Sequence, residues 1–438
     1  MTDPTHRSGT NVAILLSAMM FLQFFVWGAW FVTLGPFMDA QGFEGKSIAN
    51  AYSTAPIAAI LSPLILGIVA DRFFATEKVM GAMHLLGGAL LCVAPQFVAD
   101  GQQQSGLFIG MLLAHMLCYM PTLGLSNTVA FHAMTNPEKQ FPLVRVWGTI
   151  GWILAGVSVG YIAKSLVTDQ GNFASIETAR AANPQFFYVA GGAGILLGIM
   201  SFFLPNTPAP SKGKPISVGS MLGLDALSLL KRPSFAVFIV ASMLICIPLA
   251  AYYAFAATYA GKAGMEGVPI KMTFGQMSEI GFMLVMPLFF RRLGVKWMLA
   301  IGMLAWVLRY GLFSAAWGGP DNSQIWMILG GIVLHGICYD FFFVTGQIYT
   351  EKAAPKAVRA QAQGFLVLVT QGIGMLIGNQ LFGRLVDHYT TAETETSAAV
   401  IDWKTVWIYP AGFAFAVLIV FVLLFRDKAE TAESEPES

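Results

Sequence analysis

Arg145, Glu279, Arg309 and Asp340 each stand inside a long apolar run, in FPLVRVWGTIGWI, GQMSEIGFMLV, AWVLRYGLF and HGICYDFFF. A charge at membrane depth costs at least ~2.5 kcal/mol, so it faces a cavity, pairs with another charge, or carries protons or substrate. Thr149 and Trp152 follow Arg145 at i+4 and i+7, which places a cation, a hydroxyl and an indole on one helical stripe. Such a stripe can hydrogen-bond the polar edge of a ring or sugar and stack on its apolar face. The alternative is that Arg145 lies near a helix end and extends its guanidinium to the interface.

Gln276 and Glu279 share a helical face, an amide beside a carboxyl that can meet a polar ligand or exchange a proton, or else bond a neighbouring helix. His335 and Tyr339 share a face in the same way, and Asp340 lies about 100° further round the helix. His335 and Asp340 are both proton-carrier candidates, Asp340 the stronger, because a helical histidine is as often a packing residue. Arg309 requires a counter-charge, for which Asp340 and Glu279 are the two offers, and reads as an ion-pair partner more than a substrate contact. Gln23, Trp27 and Trp30 form a stripe on the first apolar segment, and Tyr119, Pro121, Ser126 and Asn127 fall in the fourth. Gln23 and Asn127 either line a cavity or bond another helix.

The elements that carry these residues are membrane helices. The chain has 438 residues, 56% hydrophobic and 11% charged, with a mean hydropathy of +0.65. Apolar windows able to cross a hydrocarbon core run near 11–38, 48–70, 78–98, 105–133, 144–165, 184–205, 234–259, 272–290, 297–316, 324–350, 360–388 and 403–425. These twelve spans predict an all-α membrane protein of two six-helix bundles, 1–205 and 234–426, joined by a cytoplasmic loop at 206–233 and followed by an acidic tail at 427–438. With both termini inside, sixteen lysines and arginines fall on the cytoplasmic side against seven outside. The first apolar stretch is too long for a signal-peptide core and reads as the first helix.

The halves echo one another: GIVADRFFATEKV answers to MPLFFRRLGVKWM, and NPEKQFPLVRVWG to APKAVRAQAQG, at corresponding connections. That suggests duplicated bundles with a pathway between them. No HExxH, Walker loop, GxSxG or paired catalytic carboxylates occur, so neither an enzyme nor an ATP-driven pump is indicated. The net charge of +1 forms no basic face for nucleic acid. The cysteines, Cys92, Cys118, Cys246 and Cys338, read as core residues, with no metal or cofactor implied.

GIVADRFF, with Gly67, Asp71 and Arg72, resembles the loop 2–3 signature of the major facilitator superfamily. YMPTLGLSNTVAF, FPLVRVWGTIGWI, MLGLDALSLL, GQMSEI, HGICYDFF and RAQAQGF together resemble the nucleoside:proton symporter family within it, through nearly the whole chain. The resemblance implies alternating access and a central site taking ribonucleosides with protons, in a bacterial inner membrane, by a protein that works as a monomer. It also implies substrate contacts at Arg145, Thr149, Trp152, Gln276, Glu279 and Asp340, an aromatic position at Tyr339, and His335 where a tyrosine is expected. Helix 7 departs, with Ala250 and Tyr253 in place of amides, so Tyr253 becomes a substrate-contact candidate and a different base or sugar preference is implied. Proton symport of a sugar or another small polar metabolite is the second reading.

Overall fold

The computed structural model describes residues 9–65, 74–98, 104–208, 224–319, 322–355, 358–391 and 400–426. Gly67, Asp71, Arg72, most of the central loop and the acidic tail lie outside the described residues. Among the described residues the chain is helical, with a single isolated antiparallel bridge, Thr390 to Ile401. This follows from the solvent: in hydrocarbon each backbone donor and acceptor must be satisfied within its own segment.

The chain divides into two compact units, Met1–Phe43 with Ile57–Ile216, and Glu44–Pro56 with Ser217–Ser438. The first contains α1 (Gly9–Phe31), α2 (Leu34–Ala40), the C-terminal part of α3 (Gly45–Ile65), α4 (Thr76–Val93), α5 (Ser105–Ala133), α6 (Pro137–Leu166), α7 (Ile176–Ala182) and α8 (Gln185–Ser201). Its inner packing joins Leu16, Met20, Met80, Leu125, Val129, Val144 and Leu197 from α1, α4, α5, α6 and α8. Exposed Leu143, Tyr161 and Leu196 are the lipid-side complement of those buried faces.

The second unit contains the start of α3 and then α9 (Pro233–Lys262), α10 (Val268–Ala316), α11 (Ile325–Val333), α12 (His335–Cys338), α13 (Thr345–Ala353), α14 (Arg359–Val367), α15 (Met375–His388) and α16 (Trp403–Leu424). A π-helical turn at Tyr339–Val344 joins α12 to α13, and another at Leu368–Gly374 joins α14 to α15. α10 has 49 residues, roughly 74 Å at 1.5 Å per residue, more than twice a ~30 Å hydrocarbon core. Gly294, at φ 65° and ψ 179°, breaks it into two segments, a conformation that costs a side-chain-bearing residue far more than glycine.

Ten helices among the described residues are long and apolar enough to cross a membrane, α10 counted once. Gly45–Ile65 is also of spanning length, at 21 residues, but less apolar. The expected span at 324–350 is present as one span, Ile325–Ala353, built from α11, α12, the π turn and α13 in succession. A π turn carries an extra residue per turn and often marks a functional position, here the one that holds Asp340.

Candidate functional site

In the first unit, α6 carries Arg145, Thr149 and Trp152 on one continuous helix, all three partly buried. The Arg145 guanidinium carbon lies 4.0 Å from the centre of the Phe24 ring of α1, a cation-π contact that seats the charge against that helix. Trp152 meets Trp27 edge to face, with centroids 5.5 Å apart and planes at 68°. A Cβ on Gly28 would come within 3.1 Å of Trp152 backbone and ring atoms. The bare glycine is what lets the indole lie against α1.

Gln23 is fully buried and commits its carboxamide to neighbouring helices. Its Nε2 donates to Thr122 Oγ1 at 2.8 Å, and its Oε1 accepts from His84 Nε2 at 2.9 Å. Of the two roles open to Gln23, bonding another helix is the one observed. Asn127 is partly buried on α5.

In the second unit α9, α10 and the α11–α13 segment bring together the remaining candidates. Gln276 and Glu279 are partly buried on α10, as expected of residues sharing a face. A Cβ on Gly336 would lie 2.6 Å from Ser278 C and 2.7 Å from Glu279 N, and Gly336 N donates to Ser278 Oγ at 3.0 Å. Helix α12 therefore rests directly on the turn of α10 that holds Glu279. Asp340 is 0% exposed, neither carboxyl oxygen has a hydrogen-bond partner, and it lies within electrostatic reach of Glu279. Two carboxyls at that range repel when both are charged, an arrangement suited to sharing one proton.

His335 is flanked by aromatic rings. Tyr252 of α9 stacks on it with centroids 5.7 Å apart and planes at 20°, and Tyr339 lies 5.7 Å away at 32°. Tyr253, next along α9, interacts electrostatically with Tyr339, Glu279 and Arg309. Tyr253, His335, Tyr339, Glu279 and Asp340 thus belong to one neighbourhood of this unit.

Arg309 departs from expectation. It is 0% exposed, yet it forms no ion pair with Asp340: both Asp340 oxygens and the Arg309 Nη1 and Nη2 lack hydrogen-bond partners. Its Nε donates to Gly331 O at 3.0 Å, and its guanidinium sits 4.1 Å from the centre of the Tyr252 ring. Gly331 lies in the last turn of α11, where carbonyls lack helical partners and the helix dipole is negative. The arginine found a helix end and a π face in place of a carboxylate.

Sequence reasoning passed over His84, His115 and Tyr252. Each is buried beside a residue singled out above, but the contacts join positions too far apart in the chain for spacing to reveal.

The chain is similar to known transport proteins along nearly its whole length. A family model described as nucleoside H+ symporter matches residues 10–430. YegT of Escherichia coli (strain K12) is 38% identical over 413 residues, 94% of this chain and 93% of that protein. The xanthosine permease of the same organism is 31% identical over 431 residues, 95% of this chain and 96% of that one. The crystal structure of the nucleoside transporter NupG matches with a TM-score of 0.80 at 30% identity, covering 95% of this chain and 100% of that chain.

Proposed function

Because the chain belongs to the nucleoside H+ symporter family and is a multi-pass membrane importer of nucleosides with protons, we propose a division of that task between its two sets of site residues. Arg145, Thr149 and Trp152 bind the nucleoside: the guanidinium and hydroxyl offer donors to sugar or base, and the indole offers a stacking face. Gln276, Tyr253, His335 and Tyr339 supply the polar and aromatic contacts of the second unit. Glu279 and Asp340 carry the coupled proton.

The observation that carries the proposal is Asp340: a carboxyl fully buried at membrane depth, without a hydrogen-bond donor, beside a second carboxyl. Burying a lone carboxylate is costly unless it is neutralised, and a proton is the one neutraliser that a symporter moves. Arg309 tunes this neighbourhood through Tyr252. The fold has twelve spanning helices, with both termini in the cytoplasm, and the monomer is the working unit.

The test is uptake of labelled nucleosides into proteoliposomes under an imposed inward proton gradient. Purine and pyrimidine nucleosides, free bases and sugars are compared. Gradient-stimulated uptake of at least one nucleoside, abolished by a protonophore, is expected. Stimulated uptake of a sugar but of no nucleoside overturns the proposal.

A further inference from the structure

The ligand-facing residues of the first unit rest on a second layer that no site assignment uses. His84 lies on α4, 3% exposed, and its Nε2 faces Gln23 Oε1 at 2.9 Å. An amide oxygen can only accept, so His84 carries its proton on Nε2 and donates. Gln23 Nε2 then donates to Thr122 Oγ1 at 2.8 Å, and the Thr122 hydroxyl donates onward to Tyr119 O at 2.6 Å. Tyr119 closes the circuit by donating its phenolic proton to the main-chain carbonyl of Gln23. Both ends of the Gln23 carboxamide are committed, and three helices, α1, α4 and α5, are pinned at one level.

That circuit controls the rings beneath the proposed ligand face. Tyr119 meets Trp27 edge to face at 5.7 Å and 61°, and Trp27 meets Trp152 at 5.5 Å and 68°. Gln23 precedes Phe24, whose ring lies 4.0 Å below the Arg145 guanidinium, and the Tyr119 hydroxyl is within electrostatic reach of Arg145. His115 backs the assembly: it stacks on Tyr119 at 5.7 Å and 24°, while its Nδ1 donates to Gly87 O at 2.9 Å. The rotation of α1 at this turn therefore sets both the indole corner and the seat of the cation. The linked bonds of His84, Gln23, Thr122 and Tyr119 fix geometry in a way apolar packing does not.

We propose that His84 is a positioning residue for nucleoside binding, holding the Trp27–Trp152 corner and the Arg145 seat through Gln23, Thr122 and Tyr119. The inference rests on the assignment of the Arg145, Thr149 and Trp152 face to the nucleoside. His84 touches no ligand; its removal strands Gln23 Oε1 and frees the turn of α1 that carries both rings.

Four variants in proteoliposomes test this, assayed with whichever nucleoside the wild type imports fastest. His84→Leu is expected to raise KM on the order of tenfold, the scale of a sub-ångström misplacement, with Vmax kept within about twofold. His84→Gln, whose amide can still donate to Gln23, is expected to restore KM, which a general loss of stability would not do. Thr122→Val, close to isosteric but unable to accept from Gln23, is expected to raise KM as His84→Leu does, and carries the test if His84→Leu does not fold. The half-saturation of ligand-induced tryptophan fluorescence is expected to move with KM. Trp152→Ala separates the two levels of inference. Unchanged KM in Trp152→Ala removes the face assignment; raised KM there, with unchanged KM in folded His84→Leu or Thr122→Val, removes the positioning role. A fall in Vmax at constant KM also overturns it.

Discussion

Gly336→Ala alters no side chain proposed to touch nucleoside or proton, yet the structure requires it to impair transport. The added methyl would sit 2.6 Å from Ser278 C and 2.7 Å from Glu279 N, both backbone atoms that cannot rotate away. Carbon contacts are comfortable at about 3.5–4.0 Å, so α12 and α10 must part by roughly 1 Å. Overpacking of this kind costs about 1–3 kcal/mol, and the Gly336 N to Ser278 Oγ bond, now 3.0 Å, stretches past hydrogen-bonding range. The displaced segment carries Glu279 on one side and His335 and Asp340 on the other. Misplacing a site by ~1 Å can cost up to ~100-fold in rate, so Vmax/KM for gradient-driven uptake is expected to fall at least about tenfold, or ~1.4 kcal/mol. The control is Gly311→Ala on α10, beyond the Gly294 break, where the new methyl meets nothing within 4 Å and uptake should match the wild type. If Gly336→Ala keeps both its melting temperature and its Vmax/KM within about twofold of the wild type, close packing at Glu279 does not set the site.

Asp340→Asn keeps the shape of a side chain whose oxygens have no partner but removes the exchangeable proton. Accumulation against a concentration gradient is expected to vanish while nucleoside counterflow persists; accumulation at the wild-type level refutes the coupling role. Because Arg309 and Asp340 are not paired in this structure, a double-mutant cycle of Arg309→Met and Asp340→Asn on thermal stability should give an interaction below ~0.5 kcal/mol. A coupling above ~1 kcal/mol indicates a direct pair. Tyr252→Leu removes the ring beneath the Arg309 guanidinium and the stack on His335, and is expected to lower stability by about 2–4 kcal/mol in a denaturant or thermal assay. A loss under ~1 kcal/mol argues that the arginine is held by Gly331 alone.

The all-helical architecture was legible because hydrocarbon leaves the backbone so few choices. The stripe of Arg145, Thr149 and Trp152 survived for a local reason: α6 runs unbroken from Pro137 to Leu166, so 3.6-residue spacing held. His335 and Tyr339 also share a face as expected, although the π turn at Tyr339–Val344 changes the residues per turn beyond Cys338. Nothing in YDFFFV marks it, since π turns have no cap and no signature residue. Gly45–Ile65 begins three residues before the expected apolar window, its first turn being polar. Gln23 could be assigned only with its partner in view, and His84 lies 61 positions away. Side-chain networks between helices depend on rotation about each helix axis, which hydropathy does not encode.

The failure of the Arg309 pair has a geometric cause that bears on how protons are carried. Cys338 is within electrostatic reach of Arg309, while Asp340 is within reach of Glu279. On the Arg309 side, the positive charge is answered by the Gly331 carbonyl and the Tyr252 ring, neither of which titrates with a substrate's arrival. Asp340 and Glu279 are within electrostatic reach of each other, and Glu279 is also within reach of Tyr253. A permanent ion pair with Arg309 would hold Asp340 charged and unable to exchange a proton; the two are not bonded in this structure, which suits the proton role proposed for Asp340. Arg309 is a fixed positive charge whose field His335 shares, and the proton exchange proposed here is assigned to the carboxyls.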